Sequence, residues 1–178
     1  MAGSLVKIAE TTVSSGVSSV SLVCIDSTYD VYKVVSSGIE VDTNGGNIRV
    51  RVTASGTGQS GANYDNAGKQ LRSNTTFNNS YSSNNTSFAI HFAGGTNTGS
   101  ANNVTYYLFN FNNASEYSFI TFEETGFDQN SYAVGNQGGG VHTVAQTNDG
   151  MEFFSDDGNI DSGTFTLYGI KKWLDFVW

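Results

Sequence analysis

Apolar and polar residues alternate along several short stretches of this chain, and this pattern constrains the fold more than any other feature. The clearest stretch is IRVRVTA at Ile48–Ala54, where every second residue is apolar. Successive side chains of a β-strand point to opposite faces, so the pattern places one face on a core and the other in solvent. The same period recurs at Val20–Cys24 and Phe88–Phe92. In contrast, Val104–Phe111 and Tyr117–Phe122 are apolar on both faces, which is typical of central strands packed on two sides.

Short strands of this kind, about nine or ten of them, predict an all-β fold, specifically an antiparallel β-sandwich with little helix. Proline is absent and glycine occurs 21 times, so the turns must use glycine and asparagine, as at Asn44-Gly45. A short helical stretch is predicted at Ala62–Arg72 from the spacing of its apolar residues. Residues 55–86 are otherwise rich in Asn and Ser, which predicts a long polar loop region.

The chain length favours one domain. A chain of 178 residues buries roughly 70% of the surface that its unfolded form exposes. We therefore expect a sandwich over residues 1–172, followed by a short apolar segment at residues 173–178. No run of about 18 apolar residues is present, so no membrane-spanning helix is predicted. Residues 1–25 lack the continuous apolar run of a signal peptide.

Charge and reactive residues argue against several function classes. The chain has 8 Lys and Arg against 16 Asp and Glu, whereas nucleic-acid binding requires dense positive charge, so no nucleic-acid partner is expected. Cys24 is the single cysteine, so neither an internal disulfide nor a cysteine-based zinc site is predicted. His91 and His142 lack a nucleophile motif nearby, and we expect them to be surface or packing residues. We predict a non-enzymatic protein with no catalytic residue and no cofactor.

Acidic residues cluster at two places in the chain. Glu123 and Glu124 are adjacent, so on a strand they point to opposite faces and cannot act together as the paired carboxylates of a glycosidase. Asp156, Asp157 and Asp161 supply oxygen ligands of the kind that Ca²⁺ prefers. The stretch lacks the EF-hand order of ligands. We favour a solvated hairpin loop and keep a calcium site as the alternative.

The last six residues are the most unusual segment, because both tryptophans of the chain lie there. An apolar segment of this kind is an aggregation hazard unless it is buried. We predict that it docks in a groove of a neighbouring subunit, where tryptophan anchors contribute strongly to binding. Packing on its own sandwich is the alternative. The predicted docking residues are Trp173, Leu174, Phe176, Val177 and Trp178.

Several aromatic residues lie in polar, loop-like stretches. Aromatic rings of this kind can stack on sugars while neighbouring Asn and Asp side chains bond to the hydroxyl groups, as on a lectin-like surface. Core packing and subunit contacts explain the same rings equally well. The residues concerned are Tyr64, Phe77, Tyr81, Phe127 and Tyr132.

Three segments resemble small structural proteins of tailed bacteriophages, notably marine and cyanobacterial ones. They are the opening SLVKIAETTVSSGVSSVSLVCIDSTYDVYKVV, the middle LFNFNNASEYSFITFEE and the close GNIDSGTFTLYGIKK. The resemblance covers most of residues 4–172. It implies that residues 162–170 form the closing strand of a sandwich with jelly-roll character, of the kind used in virion appendages.

The resemblance also implies a function. We expect a virion structural protein that is assembled in the reducing cytoplasm of the host bacterium together with other virion proteins. A tail fibre or appendage module that forms a homo-oligomer, specifically a trimer, and contacts the host surface is the favoured form. A capsid decoration or cement protein is the first alternative. A carbohydrate-binding module that recognises a host surface glycan is the second.

Overall fold

The structure, a computed structural model, describes residues 5–74, 77–90, 94–97 and 99–171. These residues form strands and no helix, which confirms the predicted all-β fold. The twelve strands are β1 Leu5–Val13, β2 Ser19–Val23, β3 Val31–Val41, β4 Ile48–Ala54, β5 Thr57–Gly58, β6 Tyr64–Arg72, β7 Phe77–Asn85, β8 Asn102–Phe109, β9 Ser118–Phe127, β10 Ala133–His142, β11 Gly150–Ser155 and β12 Ile160–Ile170.

The strands pair in two antiparallel sheets. One sheet has eight strands in the order β1-β12-β3-β8-β9-β10-β6-β7, and the other has four in the order β2-β11-β4-β5. Consecutive strands at both ends of the chain alternate between the sheets, so β1 pairs with β12 while β2 pairs with β11. The result is an antiparallel β-sandwich, as predicted.

The core lies between the inner faces of the two sheets. Phe153 of the four-stranded sheet lies between Tyr106 and Phe165 of the larger sheet, with ring centroids 5.8 and 5.1 Å apart. The predicted alternation in β4 is confirmed, because its apolar residues at 48, 50 and 52 are fully buried. Residues 87–90 extend the smaller sheet: the Phe88 amide donates to the Val50 carbonyl at 2.8 Å.

Two predictions for residues 55–86 are wrong. The predicted helix at Ala62–Arg72 is strand β6, and the predicted polar loop region contains β5, β6 and β7. These strands form because β6 pairs along its whole length with β10 and almost as far with β7. Tertiary pairing therefore overrides a weak local pattern. This also explains why the fold has more strands than predicted.

The triple glycine at residues 138–140 in β10 allows close packing inside the sandwich. A Cβ on Gly138 would lie 2.3 Å from the Ala67 carbonyl oxygen, and one on Gly140 would lie 2.7 Å from the Phe88 ring. Any side chain at these positions would collide with β6 or with the segment that covers it. The glycines therefore let the far half of the large sheet reach the core.

Candidate functional site

The eight-stranded sheet has an inner face on the core and an opposite face, here called the outer face. Antiparallel pairing arranges the outward side chains in rows across the strands, because residues directly opposite each other point to the same side. The outward side chains of β8 and β9 include large apolar residues that are exposed, such as Tyr107 and Phe119. The expectation that these two strands are packed on both sides is therefore wrong. The surface is about eight strands wide, on the order of 35 Å at roughly 4.8 Å per strand.

One row on the outer face is entirely apolar across six strands, and we call it the apolar row. Phe119 lies near the middle of the sheet and is exposed, with 43% of its surface accessible. The row runs along the edge of the sheet where β12 ends and β9 begins. Beyond its last member the next cross-strand residue is Asp65. Its members, in order across the sheet, are Leu5, Ile170, Val31, Phe109, Phe119 and Val141.

The neighbouring row contains a shallow groove that we call the slot. Its floor is made by Thr121, Gly139 and Ala67 on three adjacent strands, and its ends are Tyr107 on β8 and Tyr81 on β7. Tyr81 is 81% exposed. Because the floor residues are small, a cavity of about 470 Å³ lies over this part of the sheet.

The two long sides of the slot differ in chemistry. On one side, Phe109, Phe119 and Val141 of the apolar row line the cavity. On the other side, the next row presents Glu123 and Gln137, which line an adjoining cavity of about 280 Å³. The slot therefore suits a ligand that has one apolar surface and one hydrogen-bonding edge.

A second apolar patch lies at the far end of the outer face, and we call it the β7 corner. It consists of Leu71 and Phe77, which are cross-strand partners, and Phe127 on β9. Gly135 of β10 lies opposite Leu71. Phe77 is 68% exposed and belongs to β7, the last strand of the sheet.

Under the sheet, Glu124 is a buried acid on the inner face. Asn136 donates to its Oε2 at 2.6 Å, while its Oε1 has no hydrogen-bond partner in the described part of the chain. Burial raises the pKa of Glu124 to about 8, and the Asn136 hydrogen bond opposes this shift. Burial, and secondarily the charge of Glu124, raises the pKa of the enclosed Tyr106. Glu124 is therefore largely neutral at pH 7, and its side chain is buried on the inner face.

A buried ion pair closes the loop between β9 and β10. The Arg72 guanidinium pairs with the carboxylate of Asp128, which is fully buried. The other oxygen of Asp128 accepts from the backbone amides of Asn130 and Tyr132 at 2.9 and 3.0 Å. The Arg72 side chain also lies 5.3 Å from the Tyr132 ring. We interpret the arrangement as structural, because both oxygens of the buried Asp128 carboxylate are occupied by Arg72 and by the backbone of the loop.

The aspartates proposed as calcium ligands do not form a common cluster. Asp156 is paired with Arg49, with 2.7 Å between Nη2 and Oδ2, and accepts from the Asn47 amide at 2.7 Å. Among the described residues, no group of three or more His, Cys, Asp or Glu side chains is placed to hold a metal ion. A cation shared by Asp156, Asp157 and Asp161 would have to displace Arg49, and calcium binding there stays a prediction.

The other predicted site residues divide into three groups. The docking residues at 173–178 and His91 lie outside the described residues. His142 is buried against the Tyr64 ring, with 4.8 Å between the ring centroids, in agreement with a packing role. Of the five aromatic residues for which sugar stacking, core packing and subunit contacts were left open, Tyr64 is fully buried and has the core-packing role. The four that are exposed are Phe77, Tyr81, Phe127 and Tyr132.

The apolar row and most of the slot were not predicted from the sequence. The pattern that contains the information is the run of residues that are apolar on both faces in β8 and β9. A strand that is covered by the core on one face only also has apolar residues on both faces when its outward face is a binding surface. Tyr107 and Phe119 are the residues that this pattern identifies.

The fold defines the protein as an all-β antiparallel sandwich in which one sheet is twice as wide as the other. No protein-family profile, no curated protein and no solved structure matches the chain. The resemblance to phage structural proteins therefore stays a prediction. No described helix is long and apolar enough to cross a membrane.

Proposed function

We propose that this chain is a non-enzymatic structural module of a tailed-phage virion, a tail fibre or appendage component that assembles as a homotrimer and touches the host surface. The observation that carries the proposal is the β7 corner, where Phe77 on the edge strand of the wide sheet and its cross-strand partner Leu71 are exposed. A monomer gains nothing from exposing such a surface, whereas a repeated assembly uses it for contacts between copies and with a target. The virion part of the proposal rests on the three segments that resemble small structural proteins of tailed bacteriophages.

The strand order supports the jelly-roll character that the resemblance implies. β1-β12-β3-β8 in one sheet faces β2-β11-β4-β5 in the other, and the first strand of the chain pairs with the last at the edge of the larger sheet. We interpret β6, β7, β9 and β10 as two hairpin-like additions that widen one sheet. The wide sheet is what creates the outer face.

The β7 corner is the proposed contact between copies. β7 is an edge strand, and a long edge strand with exposed aromatic residues promotes association unless another chain covers it. Closed symmetry would limit that association to a defined oligomer. In this scheme Phe77 and Leu71 become buried between copies.

The assembly is tested by measuring the solution mass of the recombinant chain and of Phe77→Ser. We expect a trimer for the unchanged chain and a loss of assembly for the variant. Tyr117→Ser is the matched control, since Tyr117 is also exposed but lies in the loop before β9. A strict monomer at high concentration would refute the homotrimer.

The location in the virion is tested separately with gold-labelled antibody on purified phage particles. Label on the tail or its fibres would support the appendage proposal. Label spread over the head would favour a capsid decoration protein instead. An absence of label from intact and disrupted particles alike would refute the virion proposal.

A second candidate function, glycan binding, is favoured by the slot. A sugar ring has an apolar face that stacks on aromatic side chains and hydroxyl groups that bond to polar ones, and the slot has both kinds of wall. Binding on a glycan array should be lost in Ala67→Leu, which fills the floor. Ala114→Leu, at an exposed turn position, is the control. A silent array with assembled protein would refute this function.

A further inference from the structure

The apolar row has a feature that the proposed functions leave unexplained: the chain leaves the sheet at one of its members. Ile170, the second member of the row, is the last residue of β12, and only Lys171 separates it from residues 172–178. We propose that residues 172–178 pack along the apolar row of their own sheet and cover it. This inference concerns a single chain and does not depend on the virion proposal.

The reach of the segment matches the length of the row. From Ile170 on β12 to Val141 on β10 the row crosses four strand spacings, about 19 Å at roughly 4.8 Å each. Residues 172–178 span about 23 Å when extended, at about 3.3 Å per residue. The segment can therefore cover the four members of the row from Val31 to Val141, whereas Leu5 lies on the other side of Ile170.

The chemistry of the two partners also matches. The segment KWLDFVW contains five apolar residues and a single acid, Asp175. The row is apolar until it meets Asp65, whose carboxylate already accepts from the Asn84 amide at 2.7 Å.

The tether favours the chain's own row over that of a neighbour. A segment joined directly to its binding surface has an effective concentration in the millimolar range, far above that of a second chain in dilute solution. Residues 172–178 therefore bind to the row of their own chain before they bind to the row of a second chain. This differs from the docking into a neighbouring subunit that the sequence led us to predict.

The tryptophan residues make the proposal directly measurable. Trp173 and Trp178 are the two tryptophans of the chain, so tryptophan emission reports on this segment and on no other part of the molecule. In the unchanged chain we expect emission that is blue-shifted from that of tryptophan in water and protected from acrylamide. Both properties should be independent of protein concentration.

Variants of the row test where the segment packs. Phe119→Ser and, independently, Val31→Ser should shift the emission to the red and remove the protection from acrylamide. Tyr132→Ser changes an exposed aromatic residue in the loop between β9 and β10, at the opposite end of β9 from Phe119, and should leave both unchanged. If the segment stays protected in both row variants while far-UV circular dichroism shows them folded, the proposal is refuted.

Two further measurements keep the proposal testable if the row variants fold poorly. Deletion of residues 173–178 should increase the binding of a dye that reports exposed apolar surface, and unchanged dye binding would refute the proposal. Protection that is lost on dilution of the unchanged chain would instead assign the segment to a neighbouring copy. That result would overturn packing on the chain's own sheet.

Discussion

Glu124 makes the stability of the fold fall as the pH rises, because its carboxyl group is held protonated inside the sandwich. Burial raises the pKa of Glu124 from its ordinary value of 4.5 to about 8. In the unfolded chain the group loses its proton near the ordinary value. Between these two values the folded state binds a proton that the unfolded state has lost, so the free energy of unfolding decreases with pH. The stabilising effect is complete below pH 4.5 and is lost by about pH 8.

The expected size of the effect follows from the two pKa values. Each pH unit in this window lowers the free energy of unfolding by about 1.4 kcal/mol, so the total loss is about 5 kcal/mol. Glu124→Gln cannot ionise, and its side-chain oxygen still accepts the hydrogen bond from Asn136. We expect this variant to be more stable than the unchanged chain by several kcal/mol at alkaline pH and by much less near pH 4.5.

The assay is denaturant unfolding, followed by far-UV circular dichroism, at a series of pH values from about 5 to about 9. The difference between the variant and the unchanged chain isolates Glu124, since all other groups titrate equally in both. Glu123→Gln removes a carboxylate from the next, outward-facing position of the same strand and serves as the control. A Glu124→Gln difference that stays constant across the series would refute the reasoning.

Three further predictions concern packing. Phe153→Ala removes the ring at the centre of the sandwich and should lower the free energy of unfolding by about 3–5 kcal/mol, measured by denaturant unfolding. Gly138→Ala places a Cβ against the Ala67 carbonyl and should cost about 1–3 kcal/mol, whereas Gly135→Ala in the same strand meets nothing closer than 3.5 Å and should cost less. Equal melting temperatures for the two glycine variants would contradict this. Asp128→Asn leaves the Arg72 charge without its buried partner and should cost about 3–5 kcal/mol; a loss below about 1 kcal/mol, the range of exposed pairs, would contradict it.

Where a strand covers the core, its sequence was sufficient to predict it. In β4 the apolar residues at 48, 50 and 52 face inward and Arg49 and Arg51 face outward, as the alternation requires. Burial on one face and solvent on the other is the physical cause of that pattern. The all-β sandwich could therefore be predicted without any contact information.

Where a strand lies beyond the core, the alternation of apolar and polar residues disappears. β7 has one buried residue, Ser80, and is otherwise half-buried or exposed, so it shows no alternation. In β6 the spacing of Tyr64, Ala67 and Leu71 suggested one face of a helix, but Tyr64 points inward and the other two point outward. β6 forms by pairing with β10, and β7 forms by pairing with β6. The pairing with β10 joins residues that are far apart in the sequence, and no local pattern encodes it.

The candidate site was hidden for a related reason. Sequence reasoning assigns an apolar residue to the core by default, so the apolar outward residues of β8 and β9 were interpreted as signs of a second covering layer. The described structure has Tyr107 and Phe119 exposed instead. Ile170 suggests how an apolar row that is exposed in the described structure could still have a covering layer. The chain continues from Ile170, a member of this row, into its most apolar segment. If residues 172–178 cover the row, the second layer that the sequence indicated is supplied by this segment of the same chain. The segment then also covers the apolar side of the slot, and the β7 corner remains the apolar surface that is open to a partner.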